Sequence, residues 1–208
     1  MSKLGRPAQF DRDAALDAAL MAFWREGYHA NSVKALSERL GITRSSFYNA
    51  FESQEAVFLE ALERYLEHSP DRALAHAPQK GSVCVLITQT FKGVCQSLAH
   101  DADAKGCLAV NSVGALCNVD AVLGPKVAAY MTARLERIEA LLRLAVAKGE
   151  ISGDVDIPAT ALSLKTFLVG LNVMAKIVPD RAALWPAARA ALSALGILRE
   201  GEVGPQGG

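Results

Sequence analysis

SVKALSERLGITRSSFYNAF, residues 32–51, is the stretch whose reading decides how this chain folds. Val33, Leu36 and Leu40 recur at helical spacing, Gly41 interrupts the run, and Ile42 leads into a second short helix carrying Phe47 and Phe51. A glycine at the break supplies the positive-φ corner that lets two short helices cross steeply. Beyond it, Thr43, Arg44, Ser45, Ser46, Tyr48 and Asn49 give one helix a face of hydrogen-bonding groups, while Phe47 and Phe51 turn inward. Such a helix-turn-helix can touch both phosphates and base edges in a major groove. The same pattern also describes a plain helical hairpin with a solvated polar side.

Working outward, Asp11 is a good N-cap, and Leu16, Ala19, Leu20, Phe23 and Trp24 follow at amphipathic-helix spacing up to Gly27. This stripe is expected to cover the helix-turn-helix, with Phe23 and Trp24 as core residues. Ser53 caps a fourth helix, residues 53–68, carrying Val57, Leu62 and Leu66 before Pro70 ends it. Pro70, Pro78 and Gly81 then separate two composition zones, which places a domain boundary near residue 68: residues 1–68, then 69–208. In the second zone, helices are predicted over residues 82–99, over Cys107 to Leu116, and from after Pro125 to Gly149. Asp156 caps another, with Pro158 in its first turn, running to about Ile177. A last helix spans Asp180 to Gly196, with Pro186 restricting its start to near Trp185. β-branched runs are scarce, so the expected class is all-α with about nine helices. A three-helix helix-turn-helix domain is followed by a larger helical one.

The 208 residues are 51% hydrophobic and 21% charged, which excludes a disordered chain. Net charge is zero, but DNA affinity depends on where cations sit, and Lys3, Arg6, Lys34 and Arg44 fall on the N-terminal arm or the helix pair. No apolar stretch approaches the ~20 residues of a membrane span. MSKLGRPAQFD lacks the apolar core of a secretory signal, so a cytoplasmic protein is expected, with no membrane partner. Cys84, Cys95, Cys107 and Cys117 form no C-x-x-C pair, so free thiols and no metal site are expected. His29, His68, His76 and His100 have no nucleophile or carboxylate in a recognisable arrangement, and no enzyme activity or cofactor is expected.

Residues 10–58 resemble the N-terminal domain of the TetR family of bacterial transcriptional regulators. The resemblance rests on F-W-R-E-G-Y at the end of the first helix, the Ser before the second, L-G-I-T, and S-F-Y-x-x-F-x-S-x-E. It implies a homodimer that reads an inverted-repeat operator in double-stranded DNA, represses, and is released by an effector held in the C-terminal region. On the residues themselves, Thr43 can cap its helix and present hydroxyl and N–H to a phosphate. Arg44 can take guanine or a phosphate, Ser45, Ser46 and Asn49 can read base edges, and Ser32 can meet the other side of the groove. Lys3 and Arg6 are candidates for the neighbouring minor groove. By the resemblance, Tyr48 keeps its ring on the fold and its hydroxyl toward the DNA backbone. Gln54 departs from the family pattern, which usually has a phosphate-binding Lys there, and Ser37 stands where Ala is common.

One such module makes too few contacts alone, so a dimer is expected. Its candidate interface is Leu162, Leu164, Phe167, Leu168, Leu171, Met174, Leu184, Ala188, Leu192 and Leu195 on the last two helices. Two helices per subunit would make a four-helix bundle, as in the family. Ala187, Ala188, Ala190, Ala191 and Ala194 permit close contact; alternatively these stripes face the chain's own core. Candidate effector-lining residues are Phe91, Cys95, Leu108, Val110, Asn111, Leu116, Tyr130, Arg134, Phe167 and Asn172, against a reading as plain core. Cys107 follows Gly106 near a helix N-terminus beside Lys105, and both dipole and ammonium favour thiolate. K-G-C-L-A-V-N resembles the G-C-L-x-x-N signature of a TetR subgroup that includes repressors sensing electrophiles or oxidants through this Cys. The alternative is a small hydrophobe. The rival to the whole reading is a helical protein-interaction module with a vestigial helix-turn-helix, which would show no salt-sensitive DNA binding.

Overall fold

The computed structural model of the chain describes residues 11–78 and 80–201; Lys3 and Arg6 lie outside the described residues. The fold is all-α, with no strand among the described residues. Two compact units, Met1–Tyr65 and Leu66–Gly208, divide the chain. The first holds α1 (Arg12–Glu26), α2 (Val33–Leu40), α3 (Arg44–Phe51) and most of α4 (Gln54–His68), within which the division falls. The second holds α5 (Val83–His100), α6 (Leu108–Leu116), α7 (Leu123–Ala147), α8 (Ile157–Met174) and α9 (Leu184–Ala194). Short 3-10 turns, Arg72–Ala75 and Arg181–Ala183, precede α5 and α9.

Side-chain caps start the helices of the first unit. Asp11 accepts from the N–H groups of Asp13 and Ala14, Ser32 from Ala35, Thr43 from Ser46 and Ser53 from Ala56. Gly41 ends α2 at φ 66°, ψ 30°, the left-handed corner on which the helix-turn-helix depends. Phe23, Leu36, Phe47, Phe51 and Phe58 then meet in a core where each is at most 1% exposed. Edge contacts join Phe23 to Phe58 at 5.2 Å, and Phe47 packs on Phe51 at 5.4 Å. Trp24 is a correction: it is half-buried and lies edge-on to Tyr65 at 4.9 Å, at the margin of the core. Fully buried Asn31 ties the α1–α2 turn, donating to the carbonyls of Ala22 at 3.2 Å and Gly27 at 2.7 Å.

The core of the larger unit gathers Leu86, Ile87, Phe91 and Val94 of α5, Ile138, Leu142 and Ala145 of α7, Leu164 and Leu168 of α8, and Ala188 and Leu192 of α9. Glu150 fixes the start of α5, accepting from Ser82 Oγ at 2.6 Å and from the N–H groups of Val83 at 3.0 Å and Cys84 at 2.9 Å. Burial raises its pKa, yet these donors outweigh burial and hold the carboxyl below its ordinary value.

Two helix limits differ from the sequence reading. α7 begins at Leu123, before Pro125, because Asp120 Oδ1 accepts from both Val122 N at 2.8 Å and Leu123 N at 2.7 Å. Pro125 sits in the first turn, where no N–H is needed. α8 stops at Met174, and a hydrogen-bonded turn, Val178 N to Met174 O at 2.9 Å, takes the chain onward. α9 starts at Leu184, after the 3-10 turn and one residue before Trp185, near which Pro186 was expected to set its start. α8 also corrects the expectation on apolar length: its 18 residues, at mean hydropathy 1.4, are long and apolar enough by that measure to cross a membrane. Interspersed Ser163, Lys165 and Asn172 hid this in the sequence, and Leu164 and Leu168 bind it to the core.

Candidate nucleic-acid interface

On α3 the alternation is clean. Phe47 and Phe51 are buried, whereas Thr43, Arg44, Ser45, Ser46, Tyr48 and Asn49 are exposed. Thr43 and Ser46 are partly committed: Thr43 Oγ1 caps Ser46 N at 3.1 Å and lies 2.9 Å from Ser46 Oγ. Among the described residues, the side chains of Arg44, Ser45 and Asn49 have no internal hydrogen bond or ion pair, so their full donor and acceptor capacity is outward. Tyr48 touches Phe47 edge-on at 6.0 Å and leaves 51% of its surface open, so its ring rests on the fold by one edge only. Ser32 is exposed at the start of α2.

Ion pairing sorts the cations of this unit. Arg12 meets Glu60 at 2.6 Å, Arg39 meets Glu26 at 2.7 Å, and Arg64 reaches Asp17 at 3.2 Å. Lys34 lies 3.9 Å from Glu38, an exposed pair of little strength. Arg44 has no acidic partner among the described residues, so α3 carries the uncompensated positive charge of the helix pair. Gln54 Nε2 donates to the Tyr28 carbonyl at 3.1 Å, tying the start of α4 to the α1–α2 turn. Ser37 is 3% exposed, and its hydroxyl has no hydrogen-bond partner among the described residues.

The larger unit distributes the expected effector residues. Phe91, Cys95, Leu108 and Leu116 are at most 2% exposed and belong to packed interior. Tyr130 and Arg134 line one groove, Phe167 lines another, and Val110, Asn111 and Asn172 are half-buried. The set is therefore divided between packed interior and two grooves, because apolar periodicity cannot separate core from lining.

Cys107 is the N-cap residue of α6 and half-buried. Gly106 before it has φ 68°, and a Cβ there would stand 3.1 Å from the Asn172 carbonyl oxygen, so this position suits glycine alone. Asn111 fixes the same loop, donating to Lys105 O at 2.9 Å and accepting from Lys176 Nζ at 2.6 Å. The Lys105 ammonium closes on Asp101 at 2.6 Å and Asp103 at 3.3 Å, so two carboxylates share the charge expected to favour the thiolate. Tyr130 and Lys165 are among the electrostatic neighbours of Cys107. The spacing gave no signal for Lys165, which lies on another helix. By contrast, burial pushes the Cys95 thiol up to about 11; burial and then the Glu150 carboxylate do the same to Cys84, also to about 11.

The expected dimer face needs the largest correction. Leu164, Leu168, Ala188 and Leu192 are at most 4% exposed inside their own chain's core, while Leu171 and Leu184, buried to the same degree, also line the groove beside α8. Phe167 and Leu195 are half-buried, and Met174 is 43% exposed. Outward on α8 stand Leu162, Val173 and Met174, with Ile177 just beyond. Beside them a groove of about 870 Å³ is walled by Leu162, Phe167, Gly170, Met174, Ala183 and Ala187. Val173 and Ile177 were missed because one apolar helix can show two apolar sides.

With this geometry in place, likeness to known proteins can be weighed. The sequence pattern of the bacterial regulatory proteins, tetR family, matches residues 15–61, and that of the tetracyclin repressor-like C-terminal domain matches residues 87–191. The uncharacterized HTH-type transcriptional regulator YezE of Bacillus subtilis (strain 168) is 31% identical over 85% of this chain and 92% of its own. The HTH-type transcriptional repressor ComR of Escherichia coli (strain K12) is 27% identical over 83% and 82%. Among solved structures, a cysteine mutant of the TetR family transcriptional regulator CifR, complexed with 26-bp double-strand operator DNA, superposes with TM-score 0.81. It is 29% identical, covering 91% of this chain and 99% of that one.

Proposed function

The chain belongs to the TetR family of bacterial regulatory proteins and is a transcriptional regulator rather than an enzyme. We propose that it is a cytoplasmic repressor that holds an inverted-repeat operator as a homodimer and lets go when its larger unit is occupied or its Cys107 is modified. The outward side of α3 carries this reading. The side chains of Arg44, Ser45 and Asn49 have no hydrogen bond or ion pair among the described residues, while Phe47 and Phe51 anchor the helix beneath them. In the proposed complex Arg44 takes guanine or a phosphate, and Ser45, Ser46 and Asn49 face base edges. Ser32, Thr43, Tyr48 and Gln54 serve the backbone. Residues 1–68 are the DNA-binding part, and residues 69–208 sense and dimerise.

Fluorescence anisotropy with the promoter region of its own or the adjacent gene tests this. Binding should favour that duplex over an unrelated one, and log K should fall linearly with log salt. Salt-insensitive binding, or none, restores the rival interaction module.

Dimerisation is supported by the apolar outer side of α8, which a second copy would cover to form a four-helix bundle. Release requires that an effector prefer the DNA-incompetent state, and α4, shared by both units, is the proposed coupling element. Among the thiols, Cys107 pairs partial exposure with a helix N-terminus, while Cys84 and Cys95 are buried. An alkylator should free operator from the wild type and not from Cys107→Ser; equal release removes Cys107 from the mechanism.

A further inference from the structure

We infer that the larger unit carries a recognition groove for a small organic oxyanion, a carboxylate or phosphate on an apolar body, between the Arg72–Ala75 turn and the middle of α7. The groove measures about 810 Å³, in the range of small-molecule sites. Its apolar walls are Leu66, Pro70, Ala73 and Ala133, and its cations are Arg72, Arg134 and Arg137.

The guanidiniums differ in kind. Arg134, 8% exposed, is held from behind: its Nε donates to Tyr130 Oη at 2.7 Å, and its Nη2 donates to Ser69 Oγ and Asp71 Oδ1, both at 3.2 Å. That fixes its plane, so one edge of the groove is pre-oriented. Arg72 and Arg137 are exposed, and their side chains have no hydrogen bond or ion pair among the described residues. This is unusual for the chain, where Arg12, Arg39, Arg143 and Arg189 each hold a carboxylate.

Three guanidiniums against the carboxylates of Glu67 and Asp71 leave one surplus positive charge at the groove, in a protein whose net charge is zero. A guanidinium fork matches an oxyanion. Glu67, His76 and Tyr130 also line the groove, and beside them the alanines, leucine and proline form an apolar wall that receives the apolar body of the occupant. A bare ion would leave that wall unused. The proposal rests on the reading of this unit as the sensing half, and it names the ligand class for that half.

The test is calorimetric titration of the full chain, without DNA, with octanoate, octyl phosphate, octanol and inorganic phosphate. Either octyl anion should bind at least about tenfold more tightly than octanol. The double variant Arg72→Gln/Arg137→Gln, changed only at exposed positions, should lose about tenfold toward the anions and none toward octanol. Octanol matching octanoate, inorganic phosphate matching octyl phosphate, or an unaltered double variant would each overturn the proposal. Because no operator is present, failure here is distinct from failure of DNA binding.

Discussion

On α3 the outward residues are Arg44, Ser45 and Asn49, above a buried pair, Phe47 and Phe51; on α8 they are Leu162, Val173 and Met174, above a buried row, Leu164, Leu168 and Leu171. In both helices the inner stripe satisfies the fold, so the outer residues are not needed to bury a core. Their chemistry then speaks of partners. A polar side with unspent donors and an unpaired guanidinium suits a hydrated polyanion, whereas an apolar side suits another apolar surface. The proposed assembly puts DNA on one and a second copy on the other.

The largest expected effect tests the inner side. Phe47→Ala removes a fully buried ring and should cost about 3–5 kcal/mol, enough to unfold the small unit in urea titrations, while Leu162→Ala should change stability by no more than about 0.5 kcal/mol. Similar losses from both would break the inner–outer distinction. Next in size, Leu162→Glu with Met174→Glu should split the dimer in sedimentation and lower operator affinity by roughly a hundredfold through lost bivalency. An unchanged sedimentation coefficient would mean that the α8 side is not the interface.

Arg44→Ala should weaken operator binding by about 1–3 kcal/mol and, if it meets a phosphate, reduce the salt slope by about one. Unaltered affinity would leave α3 as the solvated hairpin. Gln54→Lys sharpens the same surface, since an unchanged salt slope would show that position 54 does not meet a phosphate. The smallest effect is Ser37→Ala, which removes a buried unpartnered hydroxyl and should raise stability by about 1 kcal/mol by calorimetry.

Caps and corners were legible because they act over three or four residues. Asp11, Ser32, Thr43, Ser53 and Asp156 each cap the helix that follows, and Gly41 turns where the pattern breaks. Pro125 misled as a helix boundary, since the group that starts α7 is the Asp120 carboxylate, whose double role has no pattern signature. The exposed row on α3 was legible for a related reason: a short helix with two phenylalanines has one possible inner side.

α8 had no such asymmetry. With apolar residues around most of its circumference, only its packing on α5, α7 and α9 chose which leucines go inside. The same holds for charge. The sequence placed Lys105 two residues from Cys107 without showing that Asp101 also holds it, and Lys165 came near from a distant helix. Local periodicity and capping depend on neighbours along the chain, so the helices, the turn and the polar side of α3 can be read from residue order alone. Which apolar side is buried, and which charge meets which, depend on groups far apart in the chain and are settled when packing brings those groups together.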